Sequence, residues 1–243
     1  MYNSLKNSLT RFIPKKLLFR IEPILRKYYA IFKKGSNHEC VICDFKASDW
    51  VHLPNHDLLC PNCGSLSRDR RLWQLVKENY VKNDIQILDF SPSRTLFRKW
   101  KKEKNVKHIA SDLSGDFIAD VTFDITQIPE KENTFDLIIC YHILEHVIDD
   151  VKAMSELHRV LKPNGTVLIQ TPFKEGDIYE NYNISSEAER LLHFGQEDHV
   201  RIYSIEGLKN RLVSAGLTVT VNQYEKDAYL GFSDKEVILF ATK

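Results

Sequence analysis

The sequence predicts an α/β protein with a doubly wound, mostly parallel sheet, preceded by a small cysteine-rich module and a basic helical extension. Strand-like and helix-like segments alternate over residues 84–243, four cysteines stand in two pairs within residues 37–83, and residues 1–36 are basic and amphipathic. Alternation of strands and helices favours a parallel sheet with helices on both faces. The 243 residues suffice for one large domain with a small appendage.

Charge is distributed unevenly along the chain. Residues 1–36 contain nine Lys/Arg and one acid, Glu22, so their net charge is +8, which leaves −7 for the remainder of a chain whose total is +1. The total charge therefore does not indicate a broad surface for nucleic acid. No apolar run has the length of a secretory signal or a membrane span, and we expect a cytoplasmic protein.

The basic extension, residues 1–36, predicts short helices divided at Pro14 and Pro23. Its apolar residues recur at helical spacing. The pattern fits a helix that contacts a membrane surface or an acidic partner. It also fits a helix that packs on the rest of the protein with its basic face in water, which is the favoured interpretation. The apolar stripe consists of Leu17, Leu18, Ile21, Leu25, Tyr28 and Phe32.

The cysteine pairs have the spacing C-x2-C-x16-C-x2-C. Two such turns present four thiolates to one tetrahedral ion, so the pattern predicts structural Zn²⁺ in a ribbon or knuckle rather than disulfides. Four thiolates leave no open coordination position, which excludes a catalytic role for this ion. The fifth cysteine, Cys140, lies in an apolar strand and is expected to be an inert buried thiol. The predicted ligands are Cys40, Cys43, Cys60 and Cys63.

A charged run, Arg68-Asp69-Arg70-Arg71, begins the helix that follows the second cysteine pair. These side chains either bind a phosphate or carboxylate of a substrate or form a solvated helix end, and the second interpretation is favoured.

The remaining residues predict strands and helices in alternation. The final two strands follow each other directly and are expected to be antiparallel neighbours. Residues 174–204 form a long connection over the strand ends, where a substrate lid is expected. The predicted strands are DIQILDF, VKHIASD, FDLIICY, TVLIQTPF, LTVTVNQY and EVILFATK, and the helices are TLFRKWKKE, DDVKAMSELHRVLKP and IEGLKNRLVSAG.

Two acids end successive strands, Asp89 and, 23 residues later, Asp112. In doubly wound domains an acid at about this distance accepts hydrogen bonds from ribose hydroxyls. The ordered series ILDFSPS, SDL, DITQIP, TFDLIICYHILEHV and ELHRVLKPNG resembles class I S-adenosylmethionine-dependent methyltransferases, most closely the methyltransferase type 11 group. The resemblance covers residues 84–243 and implies a Rossmann-like, seven-stranded sheet. With the cysteine pairs, CGSLSRDRRLW and FGQEDHVRIY resemble a bacterial subgroup that carries an N-terminal zinc module.

The resemblance implies a set of cofactor-binding residues. Asp89 would help to hold the amino-acid end of S-adenosylmethionine, with Phe90 and Ser91 forming the loop beneath the methionine moiety. Asp112 would bind the ribose and Leu113 would lie along the adenine.

Three further residues complete this expected site. Asp124, with Ile125 beside it, would meet the adenine amino group, and it is preferred to Asp120 because its distance to Pro129 is more suitable. Tyr141 ends the predicted strand FDLIICY, where cofactor and substrate would meet.

The first loop departs from the family pattern, since Ser91 and Ser93 stand where glycines are common. Glycine permits positive φ and close backbone approach. Serine is small, and Pro92 presets its own φ, so a tight turn is still expected. We therefore interpret the loop as a modified cofactor site.

Candidate general bases for removing an acceptor proton are His142, His199, Glu145 and His146. We expect His142 or His199 to be the catalytic residue, not both. His142-Ile-Leu-Glu145-His146 also matches the H-x-x-E-H pattern of some zinc proteases. We reject that interpretation because the pattern starts where a sheet strand ends, whereas the protease motif needs a long helix.

The expected function is methyl transfer to O or N of a small-molecule or glycan-type acceptor. A nucleic-acid acceptor, with the zinc module gripping RNA, is not favoured, because the Tyr141-His142-Ile-Leu sequence lacks the Asn/Asp-Pro-Pro-aromatic pattern of base-amino methyltransferases. A third possibility is a non-catalytic interaction protein with a vestigial α/β domain, which only the serine-substituted loop supports.

Overall fold

The computed structural model describes residues 15–81 and 84–243, and these divide into two compact units. The cysteine unit comprises the described residues up to Glu78 together with Glu225–Asp234. The sheet unit comprises the described part of Asn79–Tyr224 together with Lys235–Lys243. The sequence analysis placed residues 225–234 with the sheet, whereas the structure places them with the cysteines.

The cysteine unit begins with one continuous helix, α1, at Lys15–Ile31, which contains Pro23. The expected helix break at Pro23 is therefore wrong, because packing of the neighbouring Arg26 and Ala30, both buried, outweighs the local cost of the proline. Pro14 lies outside the described residues. Short antiparallel pairs and one helix follow: β1 Lys34–Glu39, β2 Lys46–Ala47, β3 Val51–His52, β4 Leu58–Leu59 and α2 Ser67–Asn79.

Helix α1 exposes its apolar stripe. The exposed fraction is 49% for Leu17, 65% for Tyr28 and 85% for Phe32. The favoured interpretation of the extension as a helix that packs its apolar face is thus wrong for these side chains. The side chain of Leu18 lies outside the described set.

The strands of the sheet unit are β5 Ile85–Phe90, β6 Val106–Ser111, β7 Phe135–Tyr141, β8 Leu161–Gln170, β9 Tyr179–Glu180, β10 Arg201–Ile202, β11 Thr218–Tyr224 and β12 Glu236–Thr242. Six of these described strands form one sheet in the order β11-β12-β8-β7-β5-β6. The strands β5, β6, β7 and β8 are parallel, and β12 runs antiparallel to β8 and to β11. The expected antiparallel pairing of the final two strands is confirmed.

The central strands are apolar on both faces, as expected for a sheet covered by helices on each side. Ile87, Leu88, Ile138 and Val167 have no exposed surface. The connecting helices are α3 Arg94–Trp100, α4 Asp150–Val160, α5 Glu187–Phe194 and α6 Ile205–Ser214.

The expected seventh strand is reduced, in the described residues, to a single parallel bridge between Ser111 and Val121. On either side of this bridge, aspartate side chains bind backbone amides in local turns. Asp112 accepts a hydrogen bond from the Gly115 amide, and Asp124 accepts one from the Thr126 amide. Such local turns withdraw backbone donors from a strand ladder.

The DITQIP and ELHRVLKPNG motifs meet in the fold. Glu156 on α4 accepts a hydrogen bond from the Ile128 amide, and Arg159 donates to the carbonyl oxygens of Ile128 and Glu130. Arg159 also contacts Glu156 at 2.6 Å and lowers the pKa of that carboxyl. These residues hold the connection before β7 in place.

Candidate functional site

The candidate site lies at the carboxyl edge of the parallel strands. Because β5, β6, β7 and β8 run in the same direction, Phe90, Ser111, Tyr141 and Gln170 end their strands at one edge of the sheet. Strand β5 lies between β6 and β7, so the connections that follow β5 and β6 lead to opposite sides of β5 in the sheet. Ligands of open α/β sheets bind at such a switch point.

Ser91 adopts the backbone conformation that glycine would adopt, with φ of +48°. Its amide donates to the Ser111 carbonyl oxygen at 2.7 Å, which closes the turn against the end of β6. Its hydroxyl donates to Asp112 Oδ1 at 2.8 Å. Ser93 caps helix α3 by accepting a hydrogen bond from the Leu96 amide. The two serines therefore form the turn and the cap, and the first also contacts the expected ribose acid.

Asp112 is 4% exposed, and its carboxylate accepts several hydrogen bonds. The donors are the hydroxyls of Ser91 and Ser114 and the amides of Gly115 and Phe117. Two of these donors are hydroxyl groups on flexible side chains. The Asp112 carboxylate is therefore fixed in place and already accepts hydrogen bonds from hydroxyl groups.

Asp89 faces a different environment. Its side chain is buried, and Oδ2 lies 3.2 Å from His108 Nε2 on β6. The His108 ring stacks on Trp100 with a centroid separation of 5.3 Å. Burial raises the pKa of Asp89, and the hydrogen bond with His108 opposes that rise. The structure thus directs this carboxyl towards β6 and α3, while the next residue, Phe90, is buried at the end of β5.

The residues expected near the adenine differ in exposure. Leu113 is exposed and Ile125 is buried. Asp124 is exposed, and hydrogen bonds from the amide and hydroxyl of Thr126 lower its pKa. The carboxylate of the alternative residue, Asp120, accepts hydrogen bonds from Lys101 at 2.8 Å and from the Ala110 amide. Both of its oxygens are therefore already occupied by protein donors.

His142 follows β7 in a left-handed conformation, with φ of +54°. Its amide donates to the Gln170 carbonyl oxygen at 2.7 Å, and its Nδ1 lies 3.2 Å from Glu145 Oε1. Within the described residues its Nε2 is buried without a hydrogen-bond partner. Burial would raise the pKa of Glu145, but His142 lowers it below its ordinary value. An imidazole oriented by a carboxylate, with its second nitrogen unused, has the geometry of a general base.

Three of the four candidate bases, Glu145, His146 and His199, lie close together in the structure. One ligand atom from each of Glu145, His146 and His199 lies within 4.8 Å of the others. The rings of His146 and His199 meet edge to face at 4.6 Å. His199 is buried, which lowers its pKa, and the nearby His146 lowers it further. In place of a long helix, residues Leu144–His146 form a single 3-10 turn.

The insert 174–204 is anchored by a buried ionic network that the sequence analysis missed. Arg201 has no exposed surface, and it donates to Glu180 at 3.0 Å and to the carbonyl oxygens of Leu144, Val147 and Ile148. Arg211 on α6 contacts Asp150 at 2.6 Å and Glu180 at 2.5 Å, and the Tyr203 hydroxyl donates to Asp150. No sequence signal indicates this network, because its partners are 21 to 61 residues apart.

The four expected zinc ligands lie together in the cysteine unit. The Sγ atoms of Cys40 and Cys63 are 3.7 Å apart, and those of Cys43 and Cys60 are 3.8 Å apart. Thiolates on one tetrahedral Zn²⁺ at about 2.3 Å are separated by about 3.8 Å, so the arrangement is compatible with zinc. Hydrogen bonding to the Cys43 thiol, then to the Cys60 and Cys63 thiols, lowers the pKa of Cys40. Cys140 is fully buried, which raises its pKa.

Neither interpretation of the charged run on α2 holds for Arg70 and Arg71, which are buried. Arg70 lies over the Trp50 ring and donates to the carbonyl oxygens of Leu230 and Gly231 at 3.0 and 2.6 Å. Arg71 donates to the Glu225 carbonyl oxygen at 2.6 Å. These contacts join residues 225–234 to the cysteine unit. Local sequence could not reveal this role because the partners are more than 150 residues away.

Comparisons with known proteins agree with this architecture. A family model described as a methyltransferase domain matches residues 66–221. The chain is 25% identical over 163 residues to an uncharacterized protein, MJ0638, from Methanocaldococcus jannaschii, which covers 63% of this chain and 71% of that protein.

Two solved structures are similar in fold. A methyltransferase dependent on S-adenosylmethionine from Mesorhizobium loti has a TM-score of 0.52 and 15% identity, with 70% of this chain and 97% of that one covered. One from Archaeoglobus fulgidus has a TM-score of 0.51 and 18% identity, with 71% of this chain and 91% of that one covered.

The helices in the described part of the chain are all too short or too polar to span a membrane.

Proposed function

The chain belongs to the methyltransferase-domain family, and from this premise we propose that it transfers a methyl group from S-adenosylmethionine to an oxygen or nitrogen of a small-molecule or glycan-type acceptor. The observation that carries the proposal is the His142–Glu145 pair directly after β7, at the strand edge that also carries Ser91 and Asp112. The proposed proton acceptor and the proposed cofactor-binding carboxylate therefore lie on one edge of one sheet.

The residues at this edge fit S-adenosylmethionine. Asp112 is a buried carboxylate that accepts hydroxyl donors, and a ribose diol offers the same donors as the Ser91 and Ser114 hydroxyls. We propose that the ribose replaces these two side chains on the carboxylate. Asp124 and Ile125 would meet the adenine amino group, Leu113 would cover the ring, and Phe90 and Ser91 would lie beneath the methionine moiety. Asp89 would act from behind the loop, through its bond to His108.

The bound cofactor supplies an electrophilic methyl group on a sulfonium. The protein must align the acceptor atom with that methyl group and remove its proton. We propose His142 as the base. Its Nδ1–H would point to Glu145 Oε1, which orients the ring, and Nε2 would remove the proton from the methyl acceptor. Tyr141 would position the acceptor beside it. His199 is not the proposed base, and its Nδ1 lies 3.3 Å from the Phe194 carbonyl oxygen.

A small-molecule acceptor is preferred for two reasons. The residues after β7 are Tyr141-His142-Ile-Leu, and the chain outside residues 1–36 carries a net charge of −7. An RNA acceptor would require a cationic surface, and its binding would weaken steeply with added salt. The insert 174–204, fixed by Arg201, would cover the acceptor as a lid.

Two further features complete the proposal. The four cysteines would bind one structural Zn²⁺. The exposed apolar stripe of α1, within a segment of net charge +8, would contact an anionic membrane surface peripherally.

The test begins with calorimetric titration of the full chain with S-adenosylmethionine and S-adenosylhomocysteine. We expect micromolar binding that is lost in Asp112→Ala. A folded wild-type protein that binds neither ligand would instead support a non-catalytic interaction protein.

The second step measures transfer of a labelled methyl group to panels of hydroxylated, amino and glycan acceptors and to RNA. We expect His142→Gln to lower kcat by roughly 10²–10⁴-fold with cofactor affinity unchanged. His52→Gln, at an exposed histidine of the cysteine unit, serves as the matched control and should retain wild-type turnover. Equal activity of His142→Gln and the control would remove His142 as the base.

A further inference from the structure

A cluster of one carboxylate and two imidazoles lies in the sheet unit, apart from the four cysteines. Glu145, His146 and His199 each place one potential ligand atom within 4.8 Å of the others. Glu145 and His199 are 1% and 4% exposed, whereas the His146 side chain is 30% exposed. Two of the three residues are thus buried, and the third is partly exposed.

One ring nitrogen of each histidine, Nδ1, already contacts an oxygen. His199 Nδ1 lies 3.3 Å from the Phe194 carbonyl oxygen, and His146 Nδ1 lies 3.1 Å from Asp198 Oδ2. A carbonyl and a carboxylate only accept, so the proton of each neutral ring belongs on Nδ1 and the lone pair on Nε2. This is the arrangement in which metal-binding histidines are usually held.

The carboxylate of Glu145 is the second, independent observation. It is 1% exposed, and His142 Nδ1 approaches only its Oε1, at 3.2 Å. Within the described residues Oε2 is buried and has no hydrogen-bond partner. A buried carboxylate oxygen without a donor is unfavourable unless a cation binds it.

We propose that Glu145, His146 and His199 form a binding site for a divalent transition-metal ion beside His142. Nitrogen and oxygen ligands of such an ion lie at about 2.0–2.2 Å from it, hence within roughly 4.4 Å of each other, so small side-chain rotations close the present separations. Two imidazoles and one carboxylate suit Zn²⁺ or Fe²⁺ rather than Mg²⁺ or Ca²⁺. Three protein ligands leave open coordination positions, unlike the four cysteines.

The site has a consequence for the acceptor, and this consequence rests on the proposed function, whereas ion binding does not. Glu145 would contact both the ion and the proposed base. An acceptor oxygen bound at an open position of the ion would lie next to His142, and the ion would lower the pKa of its hydroxyl. The acceptor class would then be hydroxyl compounds with a second oxygen able to bind the metal.

The experiment loads the purified full chain with one equivalent of Zn²⁺, which the four cysteines bind, and then titrates it with Co²⁺, following visible absorption and metal content. We expect a weakly absorbing Co²⁺ site with nitrogen and oxygen ligands, which differs from a thiolate site by the absence of intense near-ultraviolet charge-transfer bands. His146→Ala and His199→Gln should each lose this one ion per chain. His193→Ala is the matched control and should keep it.

Asp198→Asn removes only the group that orients His146, and it should weaken Co²⁺ binding by roughly 10–100-fold. Mg²⁺ should not compete. Far-ultraviolet circular dichroism and S-adenosylmethionine binding verify that each variant is folded. The proposal is overturned if the folded wild type binds no such ion, or if His146→Ala and His199→Gln bind it as the wild type does. Because the readout is metal binding, failure of methyl transfer leaves this result unaffected.

Discussion

Ser91 provides a test of how a serine replaces a glycine at the start of a cofactor loop. Its φ of +48° lies in the left-handed region, which costs a residue with a Cβ about 1–2 kcal/mol. Its hydroxyl donates to the buried Asp112 carboxylate at 2.8 Å. A hydrogen bond to a charged group contributes about 1.5–3 kcal/mol. The bond therefore offsets the backbone strain.

Two substitutions separate these contributions. Ser91→Ala removes the hydrogen bond and keeps the strain, so it should lower the free energy of unfolding by about 2 kcal/mol. Ser91→Gly removes both the bond and the strain, although glycine adds about 0.4–1 kcal/mol of unfolded-state entropy. We therefore expect Ser91→Gly to be more stable than Ser91→Ala by about 0.5–1 kcal/mol.

Thermal unfolding measures the difference, since 1 kcal/mol shifts Tm by about 2–4 °C in a chain of this size. Ser114 is the matched control, because its hydroxyl also donates to Asp112, at 3.1 and 3.0 Å. Unlike Ser91, Ser114 is exposed and does not have a positive φ. At position 114 glycine should be less stable than alanine, the reverse of position 91. The same order at both positions would refute the strain argument.

The remaining predictions concern the ion sites, the buried cations and the exposed helix. Cys60→Ser should lose one zinc per chain and lower Tm, as measured by metal analysis and calorimetry; retained zinc would contradict the assignment. Arg70→Met should lower the free energy of unfolding by about 3 kcal/mol, because it leaves buried carbonyl oxygens without donors, whereas Arg68→Met, at a partly exposed position, should change it by less than about 0.5 kcal/mol. Arg211 and Arg201 lower the pKa of Glu180 against the effect of burial, so its ionic contribution is present above the unfolded pKa of about 4.3 and is lost as the pH falls through the lower folded value. Denaturant unfolding should accordingly show Glu180→Gln less stable than wild type at pH 7, and the difference should shrink at pH 3; a difference that does not vary with pH would argue against the ionic explanation. Phe32→Ser should reduce co-sedimentation with anionic vesicles, while zwitterionic vesicles should bind neither protein; equal binding of both proteins to anionic vesicles would exclude the apolar stripe as the contact.

The sequence by itself determined what depends on local spacing. Short apolar runs identified β5 to β8 and the final strands, and helix-like segments between the runs identified α3 and α4, because such patterns are local properties of the sequence. The four cysteines were predicted to meet because each pair lies within a single turn. The ends of the parallel strands placed Ser91, Asp112 and His142 on one edge, since strands of one direction share that edge.

Tertiary structure decided which side chains meet across long separations. The sequence could not show that Arg70 binds residues 225–234, that Arg201 and Arg211 share Glu180, or that His199 joins Glu145 and His146. Each of these contacts depends on the path of an insert or loop, and local propensities do not specify that path. The reduced seventh strand has a different cause, because side-chain hydrogen bonds at Asp112 and Asp124 form local turns beside it.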